Sequence, residues 1–178
     1  MATLTRQQIE DALAHLGRLA SQKGETIQLV LVGGALMALE YEARPSTRDV
    51  DVVIVSPKEA RIVREFAAVI AKEKGWPDDW LNDGAKGYLI GISDGPVVFS
   101  TTGIEVRRPS LEQLLAMKLC AWRDDVDISD AQCLLKEIAP EQTRDDLWKA
   151  IEPYLVPGRE LKAQYAFGDL WESLHGDN

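Results

Sequence analysis

Residues 29–55 read LVLVGGALMALEYEARPSTRDVDVVIV, and this stretch decides the fold. Its two ends are apolar and rich in β-branched residues, which predicts buried strands over residues 28–32 and 49–55. Gly33 and Gly34 interrupt the chain directly after the first strand. Strand, glycine pair, short helix and second strand in this order indicate an α/β (α+β) fold in which a small mixed sheet is flanked by helices.

Helical periodicity predicts the elements on both sides of this stretch. Thr5 can cap a first helix that runs to about residue 22, and its apolar stripe is formed by Ile9, Leu13, Leu16 and Ala20. The other elements expected in this half are helices over 35–42 and 58–74, a short helical segment over 80–85, and weak strands within 87–107.

The C-terminal part of the chain is expected to be helical. Ser110 with Gln113 fits a capping box that opens a helix with an apolar stripe at Leu111, Leu114, Leu115, Leu119 and Trp122. A helix over about 128–138 and two more in the last forty residues follow. We predict a single domain over 1–178, with a core at about 26–108 and a helical part at about 109–174.

Composition narrows the classes of partner. The 178 residues are 46% hydrophobic and carry a formal net charge of −9, which argues against general DNA binding because that needs a basic surface. The two cysteines do not form a C-x-x-C motif. Without an apolar signal segment or a membrane-length apolar run, we expect a cytoplasmic location and no membrane association.

Asp49 and Asp51 are the first candidate site residues. Side chains alternate along a strand, so both aspartates point to one face of an otherwise apolar segment. Two desolvated carboxylates repel each other, and a divalent cation removes that conflict. Mg²⁺ (or Mn²⁺) prefers carboxylate oxygens together with substrate phosphates, which predicts a metal site at this pair.

The residues around the pair suit a phosphate chain. Gly33 and Gly34 allow the backbone to approach a phosphate closely, and Thr47 and Arg48 precede the aspartates directly. A glycine turn followed by two exposed aspartates at a strand start is the simpler alternative. Haloacid-dehalogenase-type phosphatases are disfavoured because the apolar run 52–55 follows the pair, and sugar-nucleotide glycosyltransferases usually have larger domains.

Lys118 is unusual because it lies on the apolar stripe of its helix. A buried lysine needs an anionic partner, and either a phosphate or one of the aspartates that follow could supply it. Those aspartates are Asp124, Asp125, Asp127 and Asp130. A lysine that reaches solvent along the stripe, with Asp127 and Asp130 capping the next helix, explains the same residues without a ligand.

Four blocks together resemble the polymerase-β-type nucleotidyltransferase superfamily, and more narrowly small bacterial proteins related to AbiEii-type toxin and abortive-infection components. These blocks are LVGGAL at 31–36, STRDVDV at 46–52, WLND at 80–83 with Lys86-Gly87, and LLAMKL at 114–119 through Arg123, Asp127 and Asp130. The resemblance implies a nucleotidyltransferase fold and a nucleoside triphosphate substrate, whose nucleotidyl group goes to a protein or to RNA such as tRNA. A non-catalytic toxin–antitoxin or phage-defence partner is the alternative.

The resemblance also assigns residue roles. Asp49 and Asp51 bind the metal, and Gly33 and Gly34 hold the triphosphate. Lys118 contacts the phosphates, with Asp127 or Asp130 positioning it or activating a group, so that Asp49, Asp51, Lys118 and Asp130 form the catalytic set. Asn82, Asp83, Lys86 and Arg123 join the site, whereas Trp80 is expected to pack in the core. Active members usually carry a third carboxylate on a later strand, which the sequence does not place: Asp94 suggests a turn, and Glu105 lies on a strand whose position is open. Either Asp83, Asp127 or Asp130 supplies the third acid, or the site is reduced.

Overall fold

The structure, a computed structural model, describes residues 3–123, 125–138 and 142–176 and has an α+β fold. Within these residues, a five-stranded mixed sheet, a two-stranded sheet and seven α-helices form. They group into two compact units, one comprising the residues up to Lys86 with Gly95–Arg108, the other Gly87–Asp94 with the residues from Pro109 onward. Asp124 lies outside the described residues.

The first unit contains every strand. The strands are β1 (Leu4–Thr5), β2 (Ile27–Val32), β3 (Ser46–Thr47), β4 (Val50–Ser56), β5 (Leu81–Asn82), β6 (Val97–Thr101) and β7 (Ile104–Arg107). The helices are α1 (Arg6–Gln22), α2 (Gly33–Leu39) and α3 (Ala60–Lys74). The large sheet has the order β5-β4-β2-β7-β6, and β1 pairs with β3.

Strand β2 is the centre of the large sheet. It pairs antiparallel with β4 and parallel with β7, and five of its six residues are buried, which explains its nearly continuous apolar sequence. The antiparallel register places Val32 opposite Asp51. The end of β2 and the start of β4 therefore meet at one edge of the sheet, where α2 begins.

Helix α1 confirms the prediction made from its stripe and cap. Thr5 and Gln8 form a reciprocal capping box, and Ile9, Leu13 and Leu16 are fully buried. The sequence placed the starts of other elements less accurately. Helix α2 begins at Gly33, not after the glycines, and β4 begins at Val50, one residue after Asp49.

The short helix predicted over residues 80–85 is wrong. Leu81 and Asn82 form β5, which pairs in parallel with the start of β4, and a 3₁₀ turn follows at Gly84–Tyr88. Tertiary contacts override the local preference, because the buried Trp80 donates its indole N–H to the Ala67 carbonyl at 2.9 Å and fixes the chain beside β4. Trp80 packs in the core, as predicted.

The second unit is built from α4 (Leu111–Ala121), α5 (Asp125–Glu137), α6 (Arg144–Ile151) and α7 (Glu160–His175), with a 3₁₀ turn at Glu152–Tyr154. Its core includes Leu115, Leu119, Ile151, Phe167 and Leu170. Ser110 caps α4, but the fully buried Gln113 bonds Ser93, Ile90 and Gly91 instead of completing the predicted capping box.

The domain prediction is not tested by these observations and stays a prediction. The predicted change from core to helical part at residues 108 and 109 coincides with a boundary between the two compact units. None of the helices in the described part of the chain is long and apolar enough to span a membrane.

Candidate functional site

Gly33 is the point where the acidic strand meets the start of α2. Its backbone has φ +69°, and a β-carbon there would lie 2.7 Å from Asp51 Oδ2. Any other residue would strain the backbone and displace this carboxylate. The glycine is therefore required because the Asp51 side chain occupies the space that a side chain at position 33 would fill.

Gly34 has the same relation to two other polar side chains. A β-carbon there would lie 2.6 Å from Thr47 Oγ1 and 2.7 Å from Arg44 Nη1. The buried Thr47 donates its hydroxyl to the Asp49 carbonyl at 3.3 Å, so it fixes the backbone of the acidic segment. The arginine that lies against the glycine pair is thus Arg44, whereas Arg48 is exposed.

Asn82 joins the two carboxylates to β5. The sheet register pairs Asn82 with Asp51, and its side-chain N–H donates to Asp49 Oδ2 at 3.2 Å. Its Oδ1 accepts from the Gly84 amide at 2.8 Å, and a β-carbon at Gly84 would lie 3.8 Å from Asp51 Oδ1. Both carboxylates therefore converge on the segment from Asn82 to Gly84.

Asp83 holds two cations beside this segment. It accepts from Lys86 Nζ and from Arg64 Nη2, the latter at 3.2 Å. The hydrogen bond from Lys86, with the charges of both cations, lowers the pKa of Asp83 against the effect of its partial burial. Lys86 and Arg64 both remain more than half exposed.

A second ionic cluster lies in the second unit. Lys118 Nζ is 3.0 Å from Asp127 Oδ1 and 2.7 Å from Asp130 Oδ2, and both carboxylates are buried. Arg123 donates its backbone N–H and its Nε to Asp127 Oδ2, at 3.1 and 2.9 Å. These contacts join the cations Lys118 and Arg123 to the carboxylates Asp127 and Asp130.

The electrostatics of Asp127 follow from these contacts. Burial alone would raise its pKa, but the hydrogen bonds from Arg123 and the charge of Lys118 outweigh burial and lower the pKa to about 2. Asp127 also lies in the first turn of α5 and accepts the backbone N–H of Arg123. The sequence left open whether a phosphate or a following aspartate is the anionic partner of Lys118. In the structure, Lys118 contacts two of these aspartates.

The predicted site residues fall into two groups. In the first unit the structure brings together Gly33, Gly34, Thr47, Asp49, Asp51 and Asn82. Lys86 is linked to this group because it bonds to Asp83, the residue after Asn82. The second unit holds Lys118, Arg123, Asp127 and Asp130. The catalytic and phosphate-binding roles given to Lys118, Arg123 and Asp130 stay predictions.

The sequence did not single out Arg44 or Arg64. Arg44 lies in a loop before a proline, and only the packing of that loop against Gly34 identifies it. Arg64 lies on α3, 19 residues before its partner Asp83, so no local pattern connects the two. Both are long-range contacts that periodicity does not reveal.

Among the described residues of the first unit, the third carboxylate is not identified: Asp83, next to Asn82, is held by Lys86 and Arg64. Strand β5, the neighbour of β4, presents the amide of Asn82 in register with Asp51. Glu105 lies on β7, on the far side of β2, and pairs with Arg107. Among the described residues, no group of three or more histidine, cysteine, aspartate or glutamate side chains is arranged to hold a metal ion.

Comparison with known families finds a match in the region that contains the first group. Residues 10–94 match the model of a family described as "Nucleotidyl transferase of unknown function (DUF2204)". The match covers just under half of the chain and includes the glycine pair, the acidic pair and Lys86. This part of the chain is therefore nucleotidyltransferase-like. No curated protein matches the chain.

Proposed function

We propose that the protein transfers a nucleotidyl group from a nucleoside triphosphate to a protein or RNA acceptor, with Mg²⁺ or Mn²⁺ as cofactor. The observation that carries this proposal is the Asp51 carboxylate, which fills the space left by Gly33; Asp51 is in register with Asn82, whose amide donates to Asp49. The family match over residues 10–94 supports the reaction class.

The donor set fits a hard divalent cation. Asp49, directly before β4, and Asp51, on β4, supply carboxylate oxygens two residues apart. Both residues are only partly buried, so water and phosphate oxygens can complete the coordination. Such an ion would offset part of the charge of the phosphate chain and polarise the α-phosphate towards attack by an acceptor hydroxyl; the new bond would replace the α–β anhydride bond, with pyrophosphate leaving and the hydroxyl proton passing to water. Asp49 and Asp51 would hold it in place.

Four basic side chains of the first unit suit the phosphate chain. Arg44 lies against Gly34, and a planar guanidinium can donate two parallel hydrogen bonds to a phosphate. Arg48 is exposed just before Asp49, and Lys86 and Arg64 are held by the single carboxylate of Asp83. We assign the main phosphate contact to Arg44, with Arg48, Arg64 and Lys86 attracting the anionic substrate.

Lys118, Arg123 and Asp130 enter the proposal only through the resemblance. Their contacts within the second unit already neutralise them, so Lys118 would have to exchange a carboxylate partner for a phosphate. The narrower relation to AbiEii-type proteins is part of the same proposal. A gene for a small partner protein directly adjacent to this one would support it.

A non-catalytic nucleotide-binding partner, of the toxin–antitoxin or phage-defence kind, is the second candidate. The amide of Asn82 in register with Asp51 favours it, because an amide cannot act as a general base towards an acceptor hydroxyl. This protein would bind a metal–nucleotide complex at Asp49 and Asp51 without turnover.

One experiment separates the two candidates. The protein is incubated with each α-labelled nucleoside triphosphate, Mg²⁺ and cell extract, and label on protein and on RNA is measured. The proposal predicts label on one acceptor class, lost in Asp51→Asn and retained in Asp78→Asn, an exposed aspartate of the same unit. Nucleotide binding without transfer in any extract would support the binding protein instead.

A further inference from the structure

Asn82 has both ends of its side-chain amide engaged. Its two N–H donors can serve Asp49 Oδ2 at 3.2 Å and the Asp79 carbonyl at 3.3 Å, and its oxygen accepts from Gly84 N at 2.8 Å. A reversed amide would point its oxygen at the Asp49 carboxylate and its N–H₂ at the Gly84 amide. The three contacts therefore determine a single orientation of the side chain.

We propose that Asn82 is a positioning residue that orients the Asp49 carboxylate and limits the site to one divalent cation per chain. The inference deepens the proposed function and rests on the metal site at Asp49 and Asp51. The hydrogen bond from Asn82 takes one lone pair of Asp49 Oδ2 and fixes the rotation of the carboxylate. The other lone pairs of Asp49 stay available for a metal ion.

The backbone around Asn82 prevents it from shifting relative to the acidic strand. Val50 donates its N–H to the Trp80 carbonyl at 2.6 Å, and the parallel register pairs Asp51 with Asn82. Trp80 is buried and bonded to Ala67. A β-carbon at Gly84 would lie 2.9 Å from Asn82 Oδ1, so this close approach also needs the glycine.

The neutrality of Asn82 sets the expected number of ions. The carboxylates of Asp49 and Asp51 carry two negative charges, which one divalent cation balances. The side-chain oxygen of Asn82 already accepts a hydrogen bond from the Gly84 amide. A carboxylate at position 82 would add a third charge in register with Asp51. It would also replace the hydrogen bond to Asp49 by repulsion, which a second cation would relieve.

The test is Mn²⁺ binding without nucleotide, measured by calorimetry and by the electron paramagnetic resonance signal of free Mn²⁺. Wild type is expected to bind one ion. Asn82→Ala should bind one ion roughly 10–100-fold more weakly, as is typical when the partner that orients a metal ligand is removed. Asn82→Asp should bind two ions, and Asp78→Ala, which changes an exposed loop carboxylate, should match wild type.

Each outcome decides one part of the inference. Wild-type affinity in Asn82→Ala would overturn the positioning role, and one ion in Asn82→Asp would overturn the limit on the number of ions; in both cases the proposed function stands. Two ions in wild type would also overturn the limit. No ion in wild type would overturn the inference, because it requires a preformed one-ion site; the proposed function would then be decided by Mg²⁺-dependent nucleotide binding, in which phosphate oxygens complete the coordination. If Asn82→Ala does not fold, Asn82→Ser, which retains a short hydroxyl, replaces it and is read in the same way.

Discussion

The charged cluster around Asp49 and Asp51 and the one around Lys118 and Asp127 both contain aspartates, but the aspartates have different partners. Directly before β4, Asp49 accepts a hydrogen bond from a neutral amide and is only partly buried. In the second unit, Asp127 is buried between a lysine and an arginine. Removing Asp127 would leave a charge without one of its partners, whereas Asp49, which is held by an amide, remains suited to a metal ion.

The largest effect on stability is expected from breaking the second cluster. Asp127→Ala leaves Lys118, whose side chain is only 13% exposed, with one carboxylate fewer and should lower the free energy of unfolding by about 3–5 kcal/mol. Chemical denaturation of wild type and variant measures this. Asp125→Ala, at an exposed position of the same helix turn, should change stability by less than about 0.5 kcal/mol. An equal loss of stability in Asp127→Ala and Asp125→Ala would contradict a structural role of the cluster.

Gly33→Ala should separate backbone strain from loss of the site. Gly24 has a similar φ of +72° but nothing within 4 Å of a β-carbon, so Gly24→Ala measures the strain alone, about 1–2 kcal/mol. Gly33→Ala also displaces Asp51 and should weaken Mn²⁺ binding by roughly 10–100-fold. Calorimetry on both variants is the measurement, and equal Mn²⁺ affinities would contradict the contact with Asp51.

Acid should destabilise the protein through Asp127. Its pKa is lowered from 3.8 to about 2 in the folded protein, so its contribution is complete above about pH 5 and is lost as the pH falls towards 2. The difference corresponds to about 2 kcal/mol. Denaturation of wild type and Asp127→Asn between pH 6 and pH 2.5 checks this, because the difference between them should shrink over that interval. A constant difference would contradict the lowered pKa.

Comparing Arg44→Ala with Arg48→Ala tests which of these two arginines contacts the phosphates of the nucleotide. Loss of a charge-assisted hydrogen bond should weaken triphosphate binding about tenfold, whereas Arg48→Ala should have a smaller effect because Arg48 is exposed. Nucleotide affinity in the presence of Mg²⁺ measures both. A larger loss in Arg48→Ala would restore the role that the sequence gave to Arg48.

The sequence predicts the local features of the fold well. The stripe and cap of α1 and the apolar strand β2 follow from the composition and spacing of neighbouring residues, and the glycine and aspartate pairs are visible in one segment. The 3.6- and 2-residue periodicities carry this information directly.

The misplaced features depend on partners distant in the chain. Strand β5 forms because Trp80 is anchored to Ala67 and Asn82 pairs with β4, and neither contact has a local signature. Arg44 is identified by its approach to Gly34, and Gln113 bonds a loop about twenty residues earlier instead of its own helix cap. Residue types alone also could not show that the aspartates after Lys118 neutralise it.

The central claim is that Asp49 and Asp51 form the metal–nucleotide site. Calorimetric titration of each nucleoside triphosphate with Mg²⁺ into the Asp49→Asn, Asp51→Asn double variant tests it most directly. The matched control is Asp78→Asn, Asp79→Asn, which removes the same charge from two exposed positions of the same unit. We predict Mg²⁺-dependent binding in wild type and control and none in the double variant; wild-type affinity in the double variant would contradict the claim.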